Sequence, residues 1–143
     1  MIWQTGKGYF QQAKELAATN DALHVHEFIR EMDLAYSAAD IVVSRAGAMS
    51  ISELCLVAKP SLFVPSPNVS EDHQTKNAMA LVNQGAAQLV KDQDALAQLE
   101  QAVMDLLSQP QVLQSLASAM ASCALPSADE RIVDEVLKVI EHV

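Results

Sequence analysis

The sequence predicts an open α/β sheet of parallel strands with helices on both faces, followed by a helical tail. Three observations carry this expectation. The apolar pattern switches repeatedly between strand-like and helix-like periods as far as Val90. The unbroken apolar run Ile41-Val42-Val43 reads as a central strand buried on both sides, and Ser61-Leu62-Phe63-Val64 as the next buried strand. Beyond Asp92 only helical patterns remain. Parallel neighbours need crossover helices, so the alternation selects a sheet covered on both faces.

Each element follows from local chemistry. Met1 to Thr5 reads as a short strand broken by Gly6-Lys7-Gly8, and Tyr9 to about Ala18 has helix-forming composition, with Asn20 suited to a stop. Leu23 to Phe28 alternates apolar and polar side chains, as a strand exposed on one face does. A short helix spans Glu31 to Ala39, and the Ile41 strand follows. The helix from Ala48 to about Ala58 is stopped by Lys59-Pro60 ahead of the Ser61 strand. Pro65-Ser66-Pro67-Asn68 forces a loop. Asp72 to about Asn83 is helical, Gly85 ends it, and Ala87 to Val90 is the last strand. Helices are expected from Asp94 to Leu107, from Pro110 to Cys123 and from Asp129 onward.

Composition narrows the function. At 143 residues the chain is one domain by prior, half hydrophobic but only 4% aromatic, so its core should be aliphatic. A net charge of -9 supplies no basic stripe and argues against a nucleic-acid partner. Cys55 and Cys123 form no CxxC and read as reduced packing residues. No signal peptide and no apolar run of membrane-spanning length occurs, which points to the cytoplasm.

Open parallel sheets bind ligands outside the carboxyl ends of their strands. On that rule four loops should share one crevice: Gly6 to Gly8, Phe28 to Met32, Ser44 to Ser50 and Pro65 to Gln74. The most informative is Ser44-Arg45-Ala46-Gly47-Ala48-Met49-Ser50-Ile51-Ser52-Glu53. A small-residue turn between strand and helix admits a ligand to the backbone, and the helix N-terminus offers unpaired N–H groups to an anion. Arg45 adds a fixed cation, and Glu53 an acceptor suited to sugar hydroxyls. Spacing alone leaves several readings open. Glu53 is either a ligand contact or a solvated helix residue. His73 and Gln74 are either sugar contacts or exposed neighbours of a capping Asp72. Phe28 is either core or a platform for a base. His24 and His26 share one side of a strand, but no third ligand accompanies them. No Walker sequence or nucleophile elbow is present.

Four segments occur in order and together resemble one family: Gln4-Thr5-Gly6-Lys7-Gly8, Glu27-Phe28-Ile29-Arg30-Glu31-Met32, Ala39-Asp40-Ile41-Val42-Val43-Ser44-Arg45-Ala46-Gly47-Ala48 and Asp72-His73-Gln74-Thr75-Lys76-Asn77-Ala78. They are similar to the carboxyl-terminal, donor-binding domain of the MurG family of peptidoglycan N-acetylglucosaminyltransferases. Those enzymes move N-acetylglucosamine from its UDP donor onto lipid I to make lipid II. The resemblance implies that Phe28 and the Ile29 backbone hold uracil, with Met32 nearby. It implies that Gly47, Ala48, Met49 and Ser50 receive the diphosphate, that Glu53 binds the ribose hydroxyls, and that His73 and Gln74 contact N-acetylglucosamine, with Asn77 in the same motif. A phosphate role for Arg45 is an electrostatic inference beside these. The implied fold is half of a GT-B enzyme, whose two Rossmann-like domains face a cleft and which uses neither metal nor other cofactor. Residues 1–92 would be a partial donor-binding domain and 93–143 its terminal helices.

The resemblance also implies that the acceptor domain, with its lipid I site, membrane-associating patch and catalytic base, lies outside these residues, as does the early part of the donor domain. The chain alone is then expected to bind UDP-N-acetylglucosamine without turnover, its full-length relatives working in the cytoplasm at the inner face of the membrane. Two other expectations stand beside it. One is a non-catalytic nucleotide-sugar-binding subunit that pairs with a separate acceptor domain. The other is a different GT-B transferase or epimerase, made less apt by Asp72-His73-Gln74.

Overall fold

The computed structural model describes residues 1–67 and 72–141. Part of the expected Pro65 to Gln74 loop, namely Asn68, Val69, Ser70 and Glu71, lies outside the described residues. The chain divides into two compact units, Met1–Ala39 and Asp40–Val143.

In the first unit, β1 (Ile2–Gln4) and β2 (His24–His26) pair in parallel, with Ile2 opposite His24 and Gln4 opposite His26. Helix α1 (Phe10–Ala17) joins them and buries Ala13, and α2 (Met32–Ala38) follows β2 and buries Tyr36. Gly6 turns the chain out of β1 at a φ of 71°, a conformation that costs other residues Cβ strain. The Thr5 and Gly6 amides extend the ladder to the His26 and Glu27 carbonyls at 3.0 and 3.1 Å.

The second unit holds a parallel three-stranded sheet in the order β3 (Val42–Ser44), β4 (Ser61–Phe63), β5 (Ala87–Leu89). Its crossovers are α3 (Ala48–Leu56) and α4 (His73–Val82). A 3-10 turn at Asp92–Asp94 then leads into α5 (Ala95–Leu107), α6 (Pro110–Ser122) and α7 (Ala128–Glu141). The expected parallel alternation holds, with the strands divided between two sheets. One expectation needs correction: Ile41 to Val43 is not a central strand. β3 is at the edge of its sheet, its Val43 is 44% exposed, and β4 is central, with all three residues at 0%. The β-branched run reports a preference for extended backbone, not the number of neighbours.

Strand alternation sends Leu62 to the face opposite Ser61 and Phe63. Leu62 packs with Val90, Leu106 and Leu116, flanked by Leu99, Val103, Val112 and Leu113 from α5 and α6. Buried Ser61 donates its hydroxyl to the Lys59 carbonyl at 2.9 Å, so no polar atom is orphaned there. Helix α7 is amphipathic and leaves Ile132, Val133, Val136, Leu137 and Ile140 exposed. Among the described residues no helix is long and apolar enough to cross a membrane.

Candidate functional site

The carboxyl ends of β3, β4 and β5 set the chemistry of the second unit. The ladder runs on past β3, where the Val64 amide donates to the Ser44 carbonyl at 2.9 Å. Arg45 then turns its guanidinium across the sheet. One nitrogen, Nη1, donates to the Val64 and Pro65 carbonyls at 3.0 and 3.3 Å and pairs with the carboxylate of Asp92. Ala46 is fully buried, and its carbonyl accepts from Asn77 Nδ2 at 3.3 Å.

Gly47 is the N-cap of α3, with the extended backbone (φ -69°, ψ 148°) that helix entry requires. Its carbonyl accepts the first helical bond, from the Ile51 amide at 3.0 Å. No side chain caps this terminus. The amides of Ala48, Met49 and Ser50 therefore leave the first turn without helical acceptors, and the helix dipole adds a partial positive charge. A Cβ built on Gly47 would meet only Ser50 Oγ, at 3.9 Å. Neither backbone angle nor packing thus requires glycine at this position. Glu53 stands exposed on α3, one turn beyond Met49 and Ser50.

Helix α4 braces both neighbouring loops. Gln74 Oε1 accepts from the Ser66 amide at 2.9 Å, while Asn77 holds Ala46. Each amide side chain keeps its other half for a further partner: the NH2 group of Gln74 and the carbonyl oxygen of Asn77. His73 is exposed at the helix start. Asp72 does not act as the side-chain cap considered from the sequence; it adopts a left-handed conformation, φ 56°, with no capping bond. The structure thus gathers Arg45, Gly47 to Ser50, Gln74 and Asn77 around the ends of β3 and β4. Sequence reasoning missed Asp92, whose only signal was its place just after the last strand.

In the first unit, Phe28 and Ile29 follow β2. Phe28 is 71% exposed, at an open groove of about 420 Å³ also lined by His26, Arg30, Leu34 and Ala35. The Ile29 amide donates to Gln4 Oε1 at 2.7 Å, so β1 fixes the backbone beside the exposed ring. Gln4 was not singled out from the sequence because an exposed strand glutamine carries no pattern. Met32, half-buried at the start of α2, does not line this groove. His24 and His26 are both exposed on β2, and among the described residues no three His, Cys, Asp or Glu side chains cluster as a metal site requires.

The family model described as "Glycosyltransferase family 28 C-terminal domain" matches residues 1–132. A curated relative from Porphyromonas gingivalis, named UDP-N-acetylglucosamine--N-acetylmuramyl-(pentapeptide) pyrophosphoryl-undecaprenol N-acetylglucosamine transferase, is 50% identical over 99% of this chain. The chain spans 38% of that relative's length. Among solved structures, MurG of Acinetobacter baumannii superposes with a TM-score of 0.84 at 31% identity, covering 96% of this chain and 42% of that one. The glycosyltransferase VinC, solved with DTDP, gives a TM-score of 0.74 at 20% identity over 99% of this chain and 34% of its own, a likeness of fold alone.

Proposed function

The chain belongs to the family of glycosyltransferase family 28 C-terminal domains, and from that premise we propose that it binds UDP-N-acetylglucosamine as the donor half of a transferase. The complete enzyme moves N-acetylglucosamine onto lipid I, the chemistry in the name of its 50% identical relative. The observation that carries this reading is the entry to α3. It presents three amides without helical acceptors behind a glycine that the fold itself does not require. A diphosphate brought against that backbone needs both features.

Each residue then has a role. The Ala48, Met49 and Ser50 amides hold the diphosphate and stabilise the charge that UDP gains as the anomeric carbon is attacked. Glu53 accepts from the ribose hydroxyls, and His73, Gln74 and Asn77 contact the sugar. Phe28 and the Ile29 backbone hold the uracil, with Met32 close by in sequence at the start of α2. The attacking hydroxyl belongs to lipid I, and the site that holds it and the base that activates it come from another part of the enzyme, so the chain by itself binds without turnover. Because lipid I is a membrane lipid, the complete enzyme works at a membrane surface.

Calorimetry with UDP tests this reading. We expect weak binding by the wild-type chain, and no heat at millimolar UDP with the fold intact overturns it. Glu53→Ala should weaken UDP several-fold more than it weakens inorganic pyrophosphate. Equal losses for the two ligands would remove the ribose role.

A further inference from the structure

We infer that Asp92 is a positioning residue for donor binding, acting through Arg45 to hold a guanidinium ready beside the diphosphate. The inference rests on the donor-binding reading above and extends it to a residue without a role so far. Arg45 leaves β3 two residues before the N-cap of α3, so its backbone is tied to the turn that meets the phosphates. Its Nη1 alone takes the Val64 carbonyl, the Pro65 carbonyl and the Asp92 carboxylate. One side chain thereby spans the carboxyl ends of all three strands, from β3 over β4 to the 3-10 turn that follows β5.

The consequence lies in what this arrangement leaves over. A guanidinium has five N–H donors in a rigid plane. Among the described residues, Nε and Nη2 of Arg45 have no acceptor, and the side chain is 54% exposed. Fixing one nitrogen on three acceptors fixes the plane and thus the directions of the remaining donors. An arginine this exposed otherwise samples many rotamers, and ordering it only on ligand arrival would weaken binding. The two carbonyls alone allow the plane to swing about Nη1. The carboxylate of Asp92, 35% exposed, is the charged partner that stops the swing.

Charge and position make opposite demands, and two substitutions separate them. Asp92→Asn keeps an acceptor oxygen and removes a negative charge near the phosphates. Asp92→Ala removes both. If Asp92 positions Arg45, Asp92→Ala weakens UDP about three- to fivefold, the range of an exposed ion pair, and leaves uridine binding and the melting temperature unchanged. Asp92→Asn restores UDP binding to within about twofold of wild type or improves on it. In an Arg45→Ala background, Asp92→Ala has no further effect.

Calorimetry with UDP and uridine on the five chains, each checked by thermal melting, decides the matter. Equal UDP binding by wild type and Asp92→Ala overturns the inference while leaving the donor-binding reading intact. So does a loss shared equally by uridine, or one that persists unchanged in the Arg45→Ala background. Failure of wild type itself to bind UDP overturns the donor reading, and the role of Asp92 with it. Should Asp92→Ala not fold, the Asn variant still decides, because a severalfold loss with the acceptor oxygen kept contradicts positioning.

Discussion

Gly47 shows how a single residue can be read from what its neighbours do not demand. Its φ is ordinary and a Cβ would make only an ordinary contact with Ser50 Oγ, so serine fits the fold. Serine is also a good N-cap, able to accept from the amides that α3 now leaves open. Gly47→Ser should therefore raise stability by roughly a few tenths of a kcal/mol, visible as a slightly higher melting temperature. On the proposed reading, the same variant should weaken UDP binding by roughly tenfold, since its hydroxyl would occupy the donors and its Cβ would stand in the path of a phosphate. Parallel changes in both quantities would contradict the assignment. The cysteines give a second residue-scale expectation. Cys55 is buried, and burial, aided by Cys123, pushes its thiol pKa up. Iodoacetamide at neutral pH should label half-buried Cys123 well before Cys55, as mass spectrometry would show.

The ends of two helices explain what local sequence could and could not tell. Helix α4 closes at Gly85, which adopts φ 68° while the Ala86 amide reaches back to the Leu81 carbonyl at 2.9 Å. That glycine announced the stop in advance. Helix α3, whose stop Lys59-Pro60 signals, ends in the same way but without a glycine. The Lys59 and Ala58 amides return to the Leu54 and Cys55 carbonyls at 3.2 Å, and the left-handed position is filled by Ala58 at φ 51°. An alanine there carries Cβ strain that glycine lacks. Ala58→Gly should accordingly stabilise the chain by about 0.5–1 kcal/mol, raising the melting temperature by a few degrees. A lower melting temperature would count against the strain. Elsewhere the periodicity placed each strand and helix to within a residue or two, because burial on one face or two leaves a period in the sequence. It did not distinguish edge from centre for Val42–Ser44, since neighbours leave no period. The site divides similarly. The helix entry at Gly47 to Ser50 was legible from turn chemistry, whereas the bracing by Gln4, Gln74 and Asp92 depends on residues distant in sequence.

Across the whole molecule, burial is uneven. The first unit buries only Ala13 and Tyr36 among its described hydrophobic residues, while Ser61, Leu62 and Phe63 of the second are wholly inaccessible. Slowest amide exchange should thus fall on Ser61–Phe63, with His24–His26 exchanging far sooner, since a two-stranded pairing is marginal on its own. Hydrogen–deuterium exchange read by mass spectrometry checks this, and uniform protection across both strands would contradict it. Leu62→Ala, removing a side chain at the middle of the larger core, should cost about 2–5 kcal/mol in chemical denaturation.

The three strands of the second unit all run the same way, and this gives the protein a practical polarity. Every connection that enters a strand, such as the exposed Asn83, Gln84 and Gly85 ahead of β5, lies on the rim opposite Gly47 and Gln74. A fluorophore or surface tether attached at Asn83 would consequently point away from the rim at which the proposed donor would arrive, making that corner the natural handle for immobilised assays.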